Sequence, residues 1–100
     1  MNTEVKEILI EADSLNNQGK DEEAKELYTK ALDIYPDHPD ANHNLSIVLI
    51  RQNKLQEARP YIEKFLSTEF PMAEYYNTAG RYYLMIDEID LALNQLEKSI

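Results

Sequence analysis

Cysteine is absent from this 100-residue sequence, and glycine and proline are scarce, with two and four residues. The absence of cysteine excludes disulfides, thiolate metal sites and a cysteine nucleophile. Because helix-breaking residues are few and hydrophobic residues make up 43% of the chain, we expect an ordered fold rather than disorder. This length predicts a single domain, residues 1–100.

Long apolar runs are also absent, so the sequence predicts no membrane-spanning segment and no membrane partner. The start of the chain carries Glu4 and Glu7 instead of the basic and then apolar stretch of a signal peptide. We therefore expect a cytoplasmic protein.

Positive charge is scarce as well. Ten Lys and Arg residues are scattered among 19 Asp and Glu residues, which gives a net charge of -9. Nucleic-acid binding requires clustered cations that contact phosphates, so we expect no nucleic-acid partner. The acidity has two interpretations, which are a solvated outer surface or an attraction for a basic partner.

The sequence offers few residues for chemistry. His38 and His43 are the only histidines, and their spacing matches no metal motif. We expect His38 in the turn before Pro39 and His43 on the wall of a groove. No nucleophile, base or metal-ligand pattern emerges, so the sequence predicts no enzyme, no cofactor and no metal.

Apolar residues recur three and four positions apart in six stretches, which predicts six amphipathic helices. The predicted breaks lie near Gly19, Pro36, Asn53, Pro71 and Asp87. Gly19 suits a left-handed conformation that ends the first helix. Pro60 falls inside the fourth helix, where a missing N–H and a steric clash predict a late start or a bend.

The six stretches repeat in pairs with a period of about 34 residues. Small residues recur in this register at Ala24, Ala58 and Ala92, and again at Ala12, Ser46 and Gly80. Small side chains allow two helix backbones to approach closely, so we expect Gly80 and Ala92 to lie where the last two helices pack. The tyrosines at 75, 76, 82 and 83 have a spacing typical of packing between helices rather than of a ligand cage.

A helix-turn-helix unit with this period resembles the tetratricopeptide repeat. The third unit carries the family pattern at Tyr76, Ala79, Gly80, Tyr83, Ala92 and Leu96. The first unit follows it at Ile8, Ala12, Leu15, Ala24, Tyr28, Ala31 and Pro36. The second unit departs from it, because Asn42 replaces the aromatic residue. The resemblance implies an all-α fold, a right-handed superhelical array of three helix-turn-helix repeats over residues 5–38, 39–72 and 73–100.

The resemblance also implies a function, which is to hold a peptide or helix of a partner protein in a concave groove. The first helix of each repeat lines that groove in the family. The corresponding residues are Leu9, Asp13, His43, Asn44, Ile47, Ile50, Arg51, Asn77, Arg81, Leu84 and Met85. Apolar residues exposed among polar ones often mark a binding surface. The alternative is that they fill gaps between neighbouring helices.

Chaperone-binding members of the family clamp a peptide's terminal carboxylate with five polar side chains. The clamp positions fall here on Leu9, Asp13, Asn44, Glu74 and Thr78, and only Asn44 matches the family. Because Asp13 and Glu74 would repel a carboxylate, we expect no chaperone-tail binding of that type.

Two further expectations concern the whole chain. The run HPDANHNL, residues 38–45, resembles tetratricopeptide segments that precede bacterial glycosyl-, sulfo- or methyltransferase domains. Under that alternative the chain is the N-terminal part of a larger transferase, and a reading frame that continues beyond Ile100 would distinguish it.

Leu93, Leu96 and Ile100 form an apolar stripe on the last helix, which predicts a homodimer through that helix.

Overall fold

The computed structural model describes residues 3–99, which form six α-helices. Their bounds are α1 Thr3–Asn17, α2 Asp21–Ile34, α3 Pro39–Arg51, α4 Leu55–Leu66, α5 Ala73–Met85 and α6 Ile89–Ser99. No strand occurs within residues 3–99. The predicted number of helices and the predicted breaks are confirmed. Ile100, part of the predicted edge, lies outside the described residues.

The turns inside the three helix pairs share one geometry. Gly19, Asn53 and Asp87 occupy the same position in successive repeats and have φ angles of 74°, 60° and 63°. After each of them, an amide donates a hydrogen bond to a carbonyl five residues back. These bonds join Lys20 to Leu15 at 2.9 Å, Lys54 to Leu49 at 2.8 Å and Glu88 to Tyr83 at 2.8 Å. This is the long hydrogen bond of a Schellman turn, so the left-handed role predicted for Gly19 is confirmed.

His38 caps the start of α3. The Ala41 amide donates to His38 Nδ1 at 3.2 Å, and Pro39 takes the first helical position. An amide at that position would have no helical acceptor, so a proline there costs nothing.

The sequence predicted a late start or a bend for α4, and the late start does not occur. The helix begins at Leu55, directly after the turn at Asn53, and continues through Pro60 to Leu66. The proline removes one bond, to the carbonyl of Gln56. Both Gln56 and Pro60 are exposed, so water can satisfy that carbonyl.

Small residues set the packing within the helix pairs. Ala24, Ala58 and Ala92 are all completely buried. A Cβ added to Gly80 would lie 2.6 Å from Leu96 Cγ, which shows how closely α5 approaches α6. The predicted register of small residues is therefore the packing register.

The array curves toward its first helices. α1 contacts α3 and α3 contacts α5, but within residues 3–99 α2 does not contact α4, nor α4 contact α6. Because the first helices of the pairs touch while the second helices splay apart, the first helices lie on the concave side. The result is the right-handed superhelix of three repeats. None of the helices between residues 3 and 99 has the length and apolar character that crossing a membrane requires.

Candidate functional site

A cavity of 360 Å³ opens between α3 and α5 on the concave side, and we call it the α3–α5 groove. Its lining residues are Ile47, Ile50, Arg51, Thr78, Arg81, Tyr82 and Met85. Three of these side chains are aliphatic or thioether groups and two are cationic. Ile47, Ile50, Arg51, Arg81 and Met85 were predicted from the sequence as groove residues, and the structure brings them together.

Tyr82 forms the floor of the α3–α5 groove. Its ring is buried, and its hydroxyl donates to the Leu55 carbonyl at 2.9 Å. Burial raises the pKa of the Tyr82 phenol, so it stays a neutral donor. The sequence pattern assigned Tyr82 only to helix packing. No sequence signal indicates its second role, because that role depends on where α5 crosses α3.

Arg51 lies at one edge of the groove, where three hydrogen bonds hold its guanidinium. Its Nε and Nη2 donate to Asp21 Oδ1 at 2.9 Å and 2.5 Å, and Nη2 also donates to Asn16 Oδ1 at 2.6 Å. These bonds join the second repeat to the first. The Nη1 group has no partner among the described residues.

Arg81 is exposed, and no ion pair or hydrogen bond engages its side chain among residues 3–99. Met85 lies one turn further along α5 and is 51% exposed. The α5 wall of the groove therefore presents one unpaired cation beside an apolar side chain.

A second cavity, of 170 Å³, lies between α1 and α3. Its lining residues are Lys6, Leu9, Ile10, Asp13, His38, Asp40 and Asn44. Leu9, Asp13 and Asn44 belong to the predicted groove, but the structure places them here, apart from the α3–α5 groove.

Asp13 is already engaged within this second cavity. Its Oδ1 accepts from the Tyr28 hydroxyl at 2.5 Å and from Asn44 Nδ2 at 3.0 Å. Burial, and then the hydrogen bond to Asp13, raise the pKa of the Tyr28 phenol. The Asp13 carboxylate thus ties the first repeat together and holds the second repeat against it.

His43 does not lie on the groove wall as predicted. It is only 6% exposed, and its Nε2 lies 2.8 Å from Thr78 Oγ1. Its ring packs against those of Phe65 and Tyr75, with centroid distances of 5.1 Å and 4.8 Å. Burial lowers the pKa of the His43 imidazole, although the charges of Glu74 and Asp40 and a hydrogen bond to Asn44 oppose this. His43 therefore joins the second and third repeats.

Asn77 and Leu84 are not part of either cavity's lining, although both were predicted as groove residues. Asn77 is half-buried, and Leu84 is exposed near the end of α5.

The predicted apolar edge on α6 needs a correction. Leu93 is 55% exposed, but Leu96 is half-buried and packs against Gly80. The exposed large apolar side chains of α6 are Ile89, Leu91 and Leu93, and Ile89, which is 48% exposed, lies one turn before Leu93. Among residues 3–99, no group of three or more His, Asp or Glu side chains could hold a metal ion.

The fold defines a helical-repeat protein with a groove between α3 and α5 on its concave side. The profile of the tetratricopeptide repeat family matches residues 16–77. The chain belongs to the tetratricopeptide repeat family.

Two solved structures are similar to this chain. The crystal structure of MamA protein matches with a TM-score of 0.87 and 23% identity, covering 100% of this chain and 55% of that one. The first tetratricopeptide domain of Spaghetti (RPAP3), bound to the HSP90 peptide SRMEEVD, matches with a TM-score of 0.91 and 19% identity, covering 99% of this chain and 79% of that one. The chain thus spans about half the length of the MamA chain. No curated protein sequence matches it.

Proposed function

We propose that this chain is a protein-interaction module that binds a peptide or helix of a partner protein in the α3–α5 groove, without catalysis. The proposal is based on the residues that line that groove. Ile47, Ile50 and Met85 present apolar surface together in a concave cleft, next to Arg51 and Arg81. A few polar groups around an apolar cleft are typical of a binding site. Burying apolar surface there supplies affinity, and the arginines supply orientation.

The binding mode that we propose differs from a chaperone clamp. Spaghetti (RPAP3) holds the HSP90 peptide SRMEEVD, which supports peptide binding by this fold. In this chain the clamp positions include Asp13 and Glu74, which repel a carboxylate, and the Asn44 amide already donates to Asp13. The ligand lies further along the first helices, against Ile47 and Ile50.

Selection from a displayed library of random peptides tests this function. We expect selected peptides to bind the chain in solution, and fluorescence anisotropy measures their affinity. Ile50→Asp and Met85→Asp should each weaken binding at least about tenfold, which corresponds to about 1.4 kcal/mol. Leu91→Asp makes the same change at an exposed position on α6 and should leave binding unaltered.

Circular dichroism of each variant checks that the helices persist. The proposal fails if the library yields no binder, or if the groove variants bind selected peptides as well as the wild type does.

We also propose a homodimer in which a second copy covers the α6 surface formed by Ile89 and Leu93. Leu93 occupies the position in the third repeat that Arg59 occupies in the second. Arg59 contacts the following repeat, donating to Glu88 at 3.2 Å. Leu93 therefore stands at a position that contacts a neighbouring repeat in the middle of the array.

A further inference from the structure

The α3–α5 groove differs in charge from the rest of the molecule. The chain has 19 acidic residues and a net charge of -9, yet the lining of this groove contains two arginines and no carboxylate. The cavity between α1 and α3 is different, since Asp13 and Asp40 both line it. The charged lining thus changes from two carboxylates and one lysine in the cavity between α1 and α3 to two arginines in the α3–α5 groove.

Arg51 can act as a preorganised donor. An arginine has five N–H donors, and the bonds to Asp21 and Asn16 use three of those on Arg51. The two on Nη1 have no partner among the described residues. Because the side chain is already fixed, it loses little conformational entropy when it binds a ligand.

Arg81 contributes a positive charge that no carboxylate of the described chain neutralises. The equivalent positions of the second and first repeats hold Ile47 and Asp13. A cation at this position is therefore a property of the third repeat alone and not of the repeat pattern. Its neighbour in the groove is the apolar side chain of Met85.

Resting on the function proposed above, we propose that the α3–α5 groove selects an acidic partner peptide in which an Asp or Glu follows an apolar anchor. The anchor packs between Ile47, Ile50 and Met85. The side-chain carboxylate accepts hydrogen bonds from Arg81 and from Nη1 of Arg51. A carboxylate matches a guanidinium in charge and in planar geometry, which makes such bonds stronger than neutral ones.

The net charge of the molecule opposes an acidic ligand only weakly. At physiological ionic strength, charges further apart than about 8 Å are largely screened. The carboxylates beyond that distance therefore contribute little to the potential in the groove. Asp21 is the exception, because its ion pair with Arg51 at 2.5 Å offsets much of that charge, and Arg81 supplies the cation that no described carboxylate pairs with.

A matched set of short synthetic peptides tests the proposal. Three labelled peptides each carry a central pair of Leu residues followed by Glu, Gln or Lys, and each has an amidated C-terminus. A fourth peptide has Gln at that position and a free terminal carboxylate. We expect the Glu peptide to bind at least about tenfold more tightly than the amidated Gln peptide. The Lys peptide should bind most weakly.

Two variants that have the same net charge show whether the preference for Glu depends on a cation in the groove or only on the total charge of the protein. Arg81→Gln should remove the preference for Glu over Gln while residual binding through the apolar anchor persists. Lys30→Gln removes a cation from the exposed surface of α2 and should leave the preference unaltered.

The selectivity is overturned if the wild type binds none of these peptides or binds the Glu and Gln peptides equally. It is also overturned if the preference survives Arg81→Gln, if Lys30→Gln abolishes it, or if only the free chain end improves binding. The function itself fails separately, when Ile50→Asp leaves the binding of library-selected peptides unchanged.

Discussion

At Gly80 the backbone of α5 lies so close to α6 that a Cβ would meet Leu96 Cγ at 2.6 Å and the Ala92 carbonyl oxygen at 3.3 Å. Gly80→Ala would gain helix propensity of about 1 kcal/mol. The overpacking that it causes costs about 1–3 kcal/mol. The clash outweighs the propensity because Leu96 Cγ is close to its own backbone and cannot swing away. We expect a net loss of stability on the order of 1 kcal/mol in urea denaturation.

A double-mutant cycle separates the two effects. In a Leu96→Ala background the clash with Leu96 is absent and only the 3.3 Å approach to the Ala92 carbonyl oxygen remains, so Gly80→Ala should cost clearly less than in the wild type. The same loss in both backgrounds would show that Leu96 does not set the approach of α5 and α6.

His43 gives the fold a dependence on pH. Burial places its folded-state pKa below the ordinary value of 6.5, so the unfolded chain binds more protons once the pH falls below 6.5. The stability that the neutral ring contributes is complete above 6.5 and is lost as the pH falls through the lower folded-state pKa. We expect wild type to lose more stability than His43→Gln between about pH 7.5 and pH 5. Denaturation at both pH values measures this, and equal losses would contradict it.

Some buried residues could be predicted from the sequence and others could not. The buried positions of Ala58 and Ala92 were predictable, because small residues at a fixed period indicate close packing. The burial of His43 was not. One face of α3 serves both the groove and the contact with α5, and helical periodicity cannot distinguish the two.

At the scale of elements, a left-handed residue ends the first helix of each of the three pairs, and substitutions at Gly19 measure how much that conformation contributes to stability. Asn53 and Asp87 adopt the same positive φ as Gly19, so Gly19→Asn should cost less than about 0.5 kcal/mol. Alanine has no side-chain polar group to support that conformation, and Gly19→Ala should cost about 1–2 kcal/mol. No atom lies within 4 Å of the added Cβ, so the difference reports backbone conformation alone. Equal stability of the two variants in urea would refute this account.

Helix bounds were largely predictable because each turn carries a recognisable stop signal. α4 begins directly after the predicted break at Asn53, and the late start expected from Pro60 does not occur because the turn at Asn53 already determines where the helix begins. The orientation of α6 about its own axis was not predicted from the sequence. Contact with Gly80 orients Ala92 and Leu96 inward and buries Gln95, whose Oε1 has no hydrogen-bond partner within residues 3–99. Leu93 is left outside.

At the scale of the whole molecule, the exposed pair Ile89 and Leu93 predicts self-association. Burying an apolar side chain of this size gains about 1.5–3 kcal/mol, part of which association entropy consumes. We expect the mass measured by light scattering to rise with concentration and Leu93→Lys to suppress the rise. Ile10→Lys is the matched control, because Ile10 is 62% exposed and lies on α1 at the other end of the array. A strictly monomeric wild type at high concentration would contradict the dimer.

The position of the candidate site was predictable in part. A helical face that carries Ile47 and Ile50, repeated in register by Arg81 and Leu84, indicates the concave surface from the sequence alone. Its division into two cavities was not predictable. One cavity lies between α1 and α3 and the other between α3 and α5, so the division depends on how neighbouring repeats are placed.

The central claim, that a partner peptide occupies the α3–α5 groove, is tested most directly by amide chemical shifts during titration with a library-selected peptide. We expect the largest shifts at Ile47, Ile50, Arg81 and Met85, with the outer helices α2 and α4 nearly unchanged. Shifts concentrated on α2, α4 or the exposed face of α6 would contradict the account, because the ligand would then lie outside the concave surface.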